Sequence, residues 1–161
     1  MRRVKFVASI ALLVASGCGE PARGSIRVTA DPNPVPLTKF SLPHCYLQYG
    51  ATLLVTARET GGARGTVTRA AVEVHDTSSG ALLAPMTEVD SVHLPVAVQG
   101  HGALQMQFVW SFQKEELFCA ATHPEPGPLA FLVTVGFVDD NGNGSEGTLT
   151  VPEALPRFAA P

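Results

Sequence analysis

Between Leu104 and Phe112 every second residue is apolar. Leu104, Met106, Phe108, Trp110 and Phe112 alternate with Gln105, Gln107, Val109, Ser111 and Gln113. A period of two puts one row of side chains on each face of a strand, whereas a helix repeats every 3.6 residues. Period-two segments recur from residue 25 onward and helical periodicity is nearly absent, so the sequence predicts an all-β fold.

Ile26 and Val28 alternate with Arg27 and Thr29 until Asp31-Pro32-Asn33-Pro34-Val35-Pro36, where three prolines cannot donate to a ladder and break the strand. A second strand is predicted over about 50–58, with Ala51, Leu53, Val55 and Ala57 on one face. Gly61-Gly62-Ala63-Arg64-Gly65 turns the chain into a third strand over about 66–75, with Ala70, Val72 and Val74 inward, ended by Asp76-Thr77-Ser78-Ser79-Gly80. Residues 81–91 are ambiguous, with a short strand at 82–86 as one reading, and 92–98 read as an edge strand because of Pro95. After the strand around 104–112 comes a polar connection from Lys114 to Gly127, then a strand over 129–138 that is apolar on both faces and therefore central. Asp139–Gly144 turns into a last strand at about 147–151. Seven or eight short strands with Gly, Pro and Asn turns fit a two-sheet antiparallel sandwich.

The ending Phe131-Leu132-Val133-Thr134-Val135-Gly136-Phe137-Val138-Asp139-Asp140-Asn141-Gly142-Asn143, followed by Thr148-Leu149-Thr150-Val151, resembles the final hairpin of bacterial immunoglobulin-like and fibronectin-type domains. The resemblance implies an immunoglobulin-like sandwich. The chain departs from antibody domains in that neither Cys45 nor Cys119 lies inside a predicted strand and no Tyr precedes Cys119 by two residues.

The amino terminus follows another logic. Met1-Arg2-Arg3-Val4-Lys5 is basic, Phe6 to Val14 is apolar, and Ala15-Ser16-Gly17 are small, the layout of a secretory signal peptide. The apolar run is about half of the roughly 20 residues a spanning helix needs. Ala-Ser-Gly followed by Cys18 resembles the lipobox of bacterial lipoproteins. That resemblance implies a diacylglycerol thioether and palmitate-type acylation on Cys18, cleavage before it, and, with Gly19 next, the outer membrane. The expected organisation is a leader over 1–17, a lipidated tether over 18–24, a sandwich over 25–152 and a flexible tail over 153–161. Six extended residues reach about 20 Å, so the domain would stand close to the lipid surface.

Without residues 1–17 the chain has eight Lys and Arg against 14 Asp and Glu, a formal charge of −6 with no basic run. That argues against nucleic acid and against electrostatic docking on anionic lipid. With Cys18 assigned to lipid, Cys45 and Cys119 are expected to form a disulfide in an oxidising compartment.

Catalytic patterns are missing: the sequence has no Gly-x-Ser-x-Gly elbow, no HExxH, no HxH, no CxxC and no phosphate loop. A non-enzymatic binding or structural lipoprotein is the first expectation; a small envelope-acting hydrolase or a calcium-dependent module is the alternative. Asp139-x-Asn141-x-Asn143-Gly144 matches the first half of a calcium loop, with Thr150 where the bidentate Glu belongs and Glu146 as a substitute. The same residues suit a hairpin turn in which Asn-Gly supplies positive φ. No other cofactor is expected. If seven strands follow immunoglobulin order, strand 1 begins beside Asp139–Gly144, and Cys45 and Cys119 share the opposite pole. An envelope protein or polysaccharide partner is the functional reading there, against Leu42, Tyr46, Leu117 and Phe118 with His44 and His123 on the rim; a plug for the sandwich end is the reading the same apolar residues suit better.

Overall fold

The computed structural model describes residues 22–42, 46–89, 93–115 and 127–155. These form nine strands: β1 (Ile26–Asp31), β2 (Thr38–Leu42), β3 (Tyr46–Glu59), β4 (Gly65–Asp76), β5 (Thr87–Glu88), β6 (Val96–Val98), β7 (Ala103–Glu115), β8 (Leu129–Asp139) and β9 (Gly144–Pro152). The fold is all-β, a sandwich of two antiparallel sheets. One sheet runs β1-β3-β7-β5, with β2 also on β3; the other runs β6-β4-β8-β9. No helix among the described residues is long and apolar enough to cross a membrane.

The alternation that defines the strands also defines the core. Leu53, Val55 and Ala57 of β3 and Met106, Phe108 and Trp110 of β7 face Val72 and Val74 of β4, and Phe131, Val133, Val135 and Phe137 of β8. Each such apolar side chain removed from water contributes about 1.5–3 kcal/mol before the entropy cost of ordering it. Trp110 is core, its indole N–H donating to the Ala84 carbonyl at 2.9 Å. β8 lies between β4 and β9, as a strand apolar on both faces must.

Three local features depart from simple alternation. In β4 the inward row changes parity: Val67 is buried, and so are Val72 and Val74, because the ladder with β8 slips between Val67 and Arg69. A β-bulge adds one residue to one strand and so resets which face each later side chain meets. β3 begins at Tyr46 rather than near residue 50, and it forms a hairpin with β2, a strand not expected from the pattern. Residues 32–37 leave the first sheet between β1 and β2. There Val35 bridges to Glu153 beside β9, its N–H donating to the Pro152 carbonyl and its carbonyl accepting from Ala154. Val35 and Leu37 are buried, so this excursion closes one side of the sandwich.

The fold also reaches past the predicted end of the domain at 152. Glu153 is buried and accepts from the Leu129 N–H at 2.7 Å.

Candidate functional site at the chain entry

Two inward rows end in carboxylates at the same pole. On β3 the row Ala51, Leu53, Val55, Ala57 continues to Glu59; on β8 the row Phe131, Val133, Val135, Phe137 continues to Asp139. Strand parity therefore points an acid inward at the rim of each sheet. Among the described residues neither carboxylate is in an ion pair. Both are filled by N–H donors.

Glu59 is fully buried and accepts four backbone N–H groups. Oε1 takes Ser25 at 3.2 Å and Gly61 at 2.6 Å; Oε2 takes Gly62 at 2.9 Å and His101 at 2.8 Å. Burial pushes its carboxyl up, but the N–H groups of His101, Ser25, Gly62 and Gly61 outweigh it and hold the group below its ordinary 4.5. The donors are brought there by glycine. Gly62 has φ of 82°, which L residues rarely adopt, and a Cβ on Gly61 would collide with the Arg23 carbonyl.

Asp139 accepts from Gly24 N–H at 3.1 Å, Asn141 N–H at 2.9 Å, Asn143 N–H at 2.8 Å and the Asn143 side-chain amide at 3.0 Å. The Asn143 amide, then the Gly24 N–H, lower its pKa to about 2 against a smaller opposing effect of burial. Asn141 and Asn143 thus point N–H groups at the carboxylate, and Gly142 takes φ of 83°. This is the hydrogen-bonded turn reading of the segment. Glu146 of β9 is paired with Arg69 of β4 across the intervening strand β8. Among the described residues no three His, Cys, Asp or Glu side chains gather to hold a metal.

Gly24 and Ser25 are consecutive, and one carboxylate from each sheet holds one of their N–H groups. Strand β1 begins beside Asp139–Gly144, as the alternation of connections requires. A Cβ on Gly24 would collide with Phe137, so the entering chain lies against the core. Ser25 is further tied to Thr60 through a 2.7 Å hydroxyl contact.

Glu59 is the residue that pattern reading of the sequence passes over. Its signal is legible: an acid at an inward position of an alternating strand, followed by Gly-Gly.

The opposite pole carries a smaller version of the same device. Asp76 accepts from Ser78, Ser79 and Gly127, and its pKa is lowered, chiefly by the Gly127 N–H. Of the residues expected at a partner surface, Leu42 ends β2 and Tyr46 opens β3, opposite Glu115. Cys18, His44, Cys45, Leu117, Phe118, Cys119 and His123 lie outside the described residues.

No protein-family model and no curated protein matches the chain. Solved structures do match. Northeast Structural Genomics Consortium target SoR45 superposes with a TM-score of 0.54 at 14% identity, covering 83% of this chain and 89% of that one. A Bordetella pertussis target of the same consortium, provisionally named ApaA, gives 0.47 at 14% identity over 83% of this chain and 98% of that one. At such identity the likeness to SoR45 shows a shared β fold alone.

Proposed function

We propose that the chain is an exported lipoprotein whose sandwich is a non-enzymatic binding or structural module, held to the outer membrane through acylated Cys18. The observation that carries this reading is the clamp on Gly24 and Ser25 by Asp139 and Glu59. A lipid tether transmits position only if its root is fixed to the folded body. Here the root is fixed by the buried ends of both sheets, six residues after Cys18. Six residues span about 20 Å at most, so the pole of turns 60–64, 99–102 and 140–143 faces the lipid. The other pole faces away, and Leu42, His44, Tyr46, Leu117, Phe118 and His123 are the proposed contacts for an envelope partner.

Cys45 and Cys119 are proposed to be bonded at that far pole. Tyr46 pairs with Glu115 in the β3–β7 ladder, so the two cysteines follow from neighbouring strand ends by one and four residues. Closing a loop of about 75 residues would contribute up to about 4.5 kcal/mol through the unfolded state.

Intact-mass and peptide mass spectrometry of the native, unreduced protein tests both proposals. The expected species starts at Cys18, carries a diacylglycerol and an amide-linked acyl chain, and lacks two hydrogens at Cys45 and Cys119. Cys18→Ser should keep its leader and leave the detergent phase. A wild-type chain with the leader intact and Cys18 free sinks the lipoprotein reading, and free thiols at Cys45 and Cys119 sink the bond.

A further inference from the structure

Like charges meet where β1 begins. In the β1–β3 ladder Arg27 stands directly opposite Arg58. Thr60 donates to the Ser25 carbonyl, so Arg58 and Arg27, two residues on, form the next hydrogen-bonded pair, with Cα atoms about 5.5 Å apart. Their neighbours Val28 and Ala57 are buried, so both arginines project from the outer face, and both are exposed. Neither is in an ion pair among the described residues. Two cations directly across a ladder disfavour it.

A charge summed over the chain hides where the charge sits. Each acid described at this pole is engaged: Glu59 and Asp139 point inward and are filled by N–H donors, Asp140 lies beside Arg64, and Glu146 is paired with Arg69. Arg23, Arg27 and Arg58 have no such partner among the described residues. Asp76 and Glu115 end their strands at the opposite pole, and Glu153 follows the end of β9 there. On the outer face of β1 the acid is Asp31, four residues on from Arg27 and about 13 Å away. The absence of a basic run in the sequence therefore does not mean the absence of a basic surface: residues 27 and 58 become neighbours only through the ladder.

We infer that this lip of the β1–β3 face docks on the phosphodiester headgroups of anionic lipid. A guanidinium is planar and always charged, and its fork of N–H donors matches phosphate oxygens two at a time. Two such forks side by side share one phosphate, whose charge offsets their mutual repulsion. The next pair along the same face, Thr29↔Thr56, adds two hydroxyls, and the Gln105 amide lies 3.5 Å from that of Thr56. Arg23, two residues before Ser25, brings a third cation at the root of the tether. A lipid surface is the source of phosphate that this position selects. Gly24 follows Cys18 by six residues, which keeps the lip within about 20 Å of the surface, and the acids of the far pole point the other way. The inference rests on the reading of Cys18 as the anchor and adds to it: the arginine face, and not the tether alone, sets how the domain lies on the membrane.

The mass of the purified full chain is recorded, and the chain is placed in zwitterionic phosphatidylcholine bicelles and titrated with phosphatidylglycerol. Backbone and arginine side-chain N–H signals are followed by NMR. Saturable shifts at Arg27, Thr29, Thr56 and Arg58 are expected, and they should fade in about 0.5 M salt, where screening acts within a few ångströms. Arg27→Gln and Arg58→Gln, both at the surface, should each lower the docking constant about fivefold while the remaining spectrum shows an intact fold. Lys39→Gln removes the same charge from β2, which pairs with the opposite end of β3, and should leave docking as it was. No saturable shift at the four residues, a loss in Lys39→Gln equal to that in Arg27→Gln, or equal shifts with inorganic phosphate in phosphatidylcholine alone would each overturn the inference, the last in favour of a soluble anion. The recorded mass keeps the two readings apart. An unacylated chain that still docks loses the anchor and keeps the face; an acylated chain that does not dock loses the face and keeps the anchor.

Discussion

Glu59 shows how a charged residue becomes part of a core. It is buried with no cation bonded to its carboxylate in the described structure, yet its oxygens meet four N–H groups drawn from three separate stretches: Ser25, Gly61 with Gly62, and His101. Removing the acceptor leaves those donors without a partner in a site that excludes water. Glu59→Ala is therefore expected to destabilise the fold by about 3 kcal/mol, and Glu59→Gln, which keeps one acceptor oxygen, by about 1 kcal/mol. Urea unfolding checks both, and an Ala variant with an unchanged midpoint would remove the clamp from the account. The inward parity of Glu59 was readable from Ala51, Leu53, Val55 and Ala57. What it accepts was not, because three of its four partners reach it through turns whose approach no local pattern encodes. For Asp139 the sequence offered two chemistries, cation loop or hydrogen-bonded turn. Here the Asn143 side-chain amide donates to Asp139, which fits the turn, and that direction is a tertiary fact.

Strands are legible where one face is dry and the other wet. β7 is the clearest, its alternation running unbroken through a ladder from Ala103 to Glu115. β2 was not legible: Thr38–Leu42 is short, follows three prolines, and turns into β3 through a Pro-containing connection without the Asn-Gly signal. In β4 the inward residues Val72 and Val74 are legible from alternation, but the bulge that places them there along with Val67 leaves no compositional trace. For β8 the sequence indicated apolar faces on both sides, and the structure ranks them. Phe131, Val133, Val135 and Phe137 are fully buried, whereas Leu132 and Thr134 are half-buried and Val138 is 37% exposed. Phe131→Ala is expected to cost about 3–5 kcal/mol. Val138→Ala should stay within about 0.5 kcal/mol. Denaturation midpoints should separate the two with the m-value unchanged; similar losses would mean that the outer face of β8 is covered after all.

At the scale of the molecule two carboxylates, one from each sheet, hold the chain at its entry, and acid should weaken that hold. Both entry clamps are carboxylates with lowered folded-state pKa, Asp139 at about 2 against an ordinary 3.8 and Glu59 below an ordinary 4.5. A depressed folded pKa contributes stability that is fully present above the unfolded value and is lost as pH falls through the folded one. Stability from these groups should therefore be constant from neutrality to about pH 5 and decline below it, continuing down to about pH 2. The other groups at this pole include Arg23, Arg64, Asp140 and His101. Arg64 lies 3.8 Å from Asp140 in an exposed pair that contributes little. Amide NMR across an acid titration gives the local reading. The Gly24 signal should move with a midpoint near 2 and the Ser25 signal with one below 4.5, while central β8 amides hold their positions through the same range. Ordinary midpoints at both residues would mean that the carboxylates do not hold the entering chain, and the proposed tether would lose its fixed root. In Asp139→Asn the Gly24 titration should vanish and the Ser25 titration persist. The two clamps lie on different sheets, so this variant also tests whether each sheet grips the chain separately.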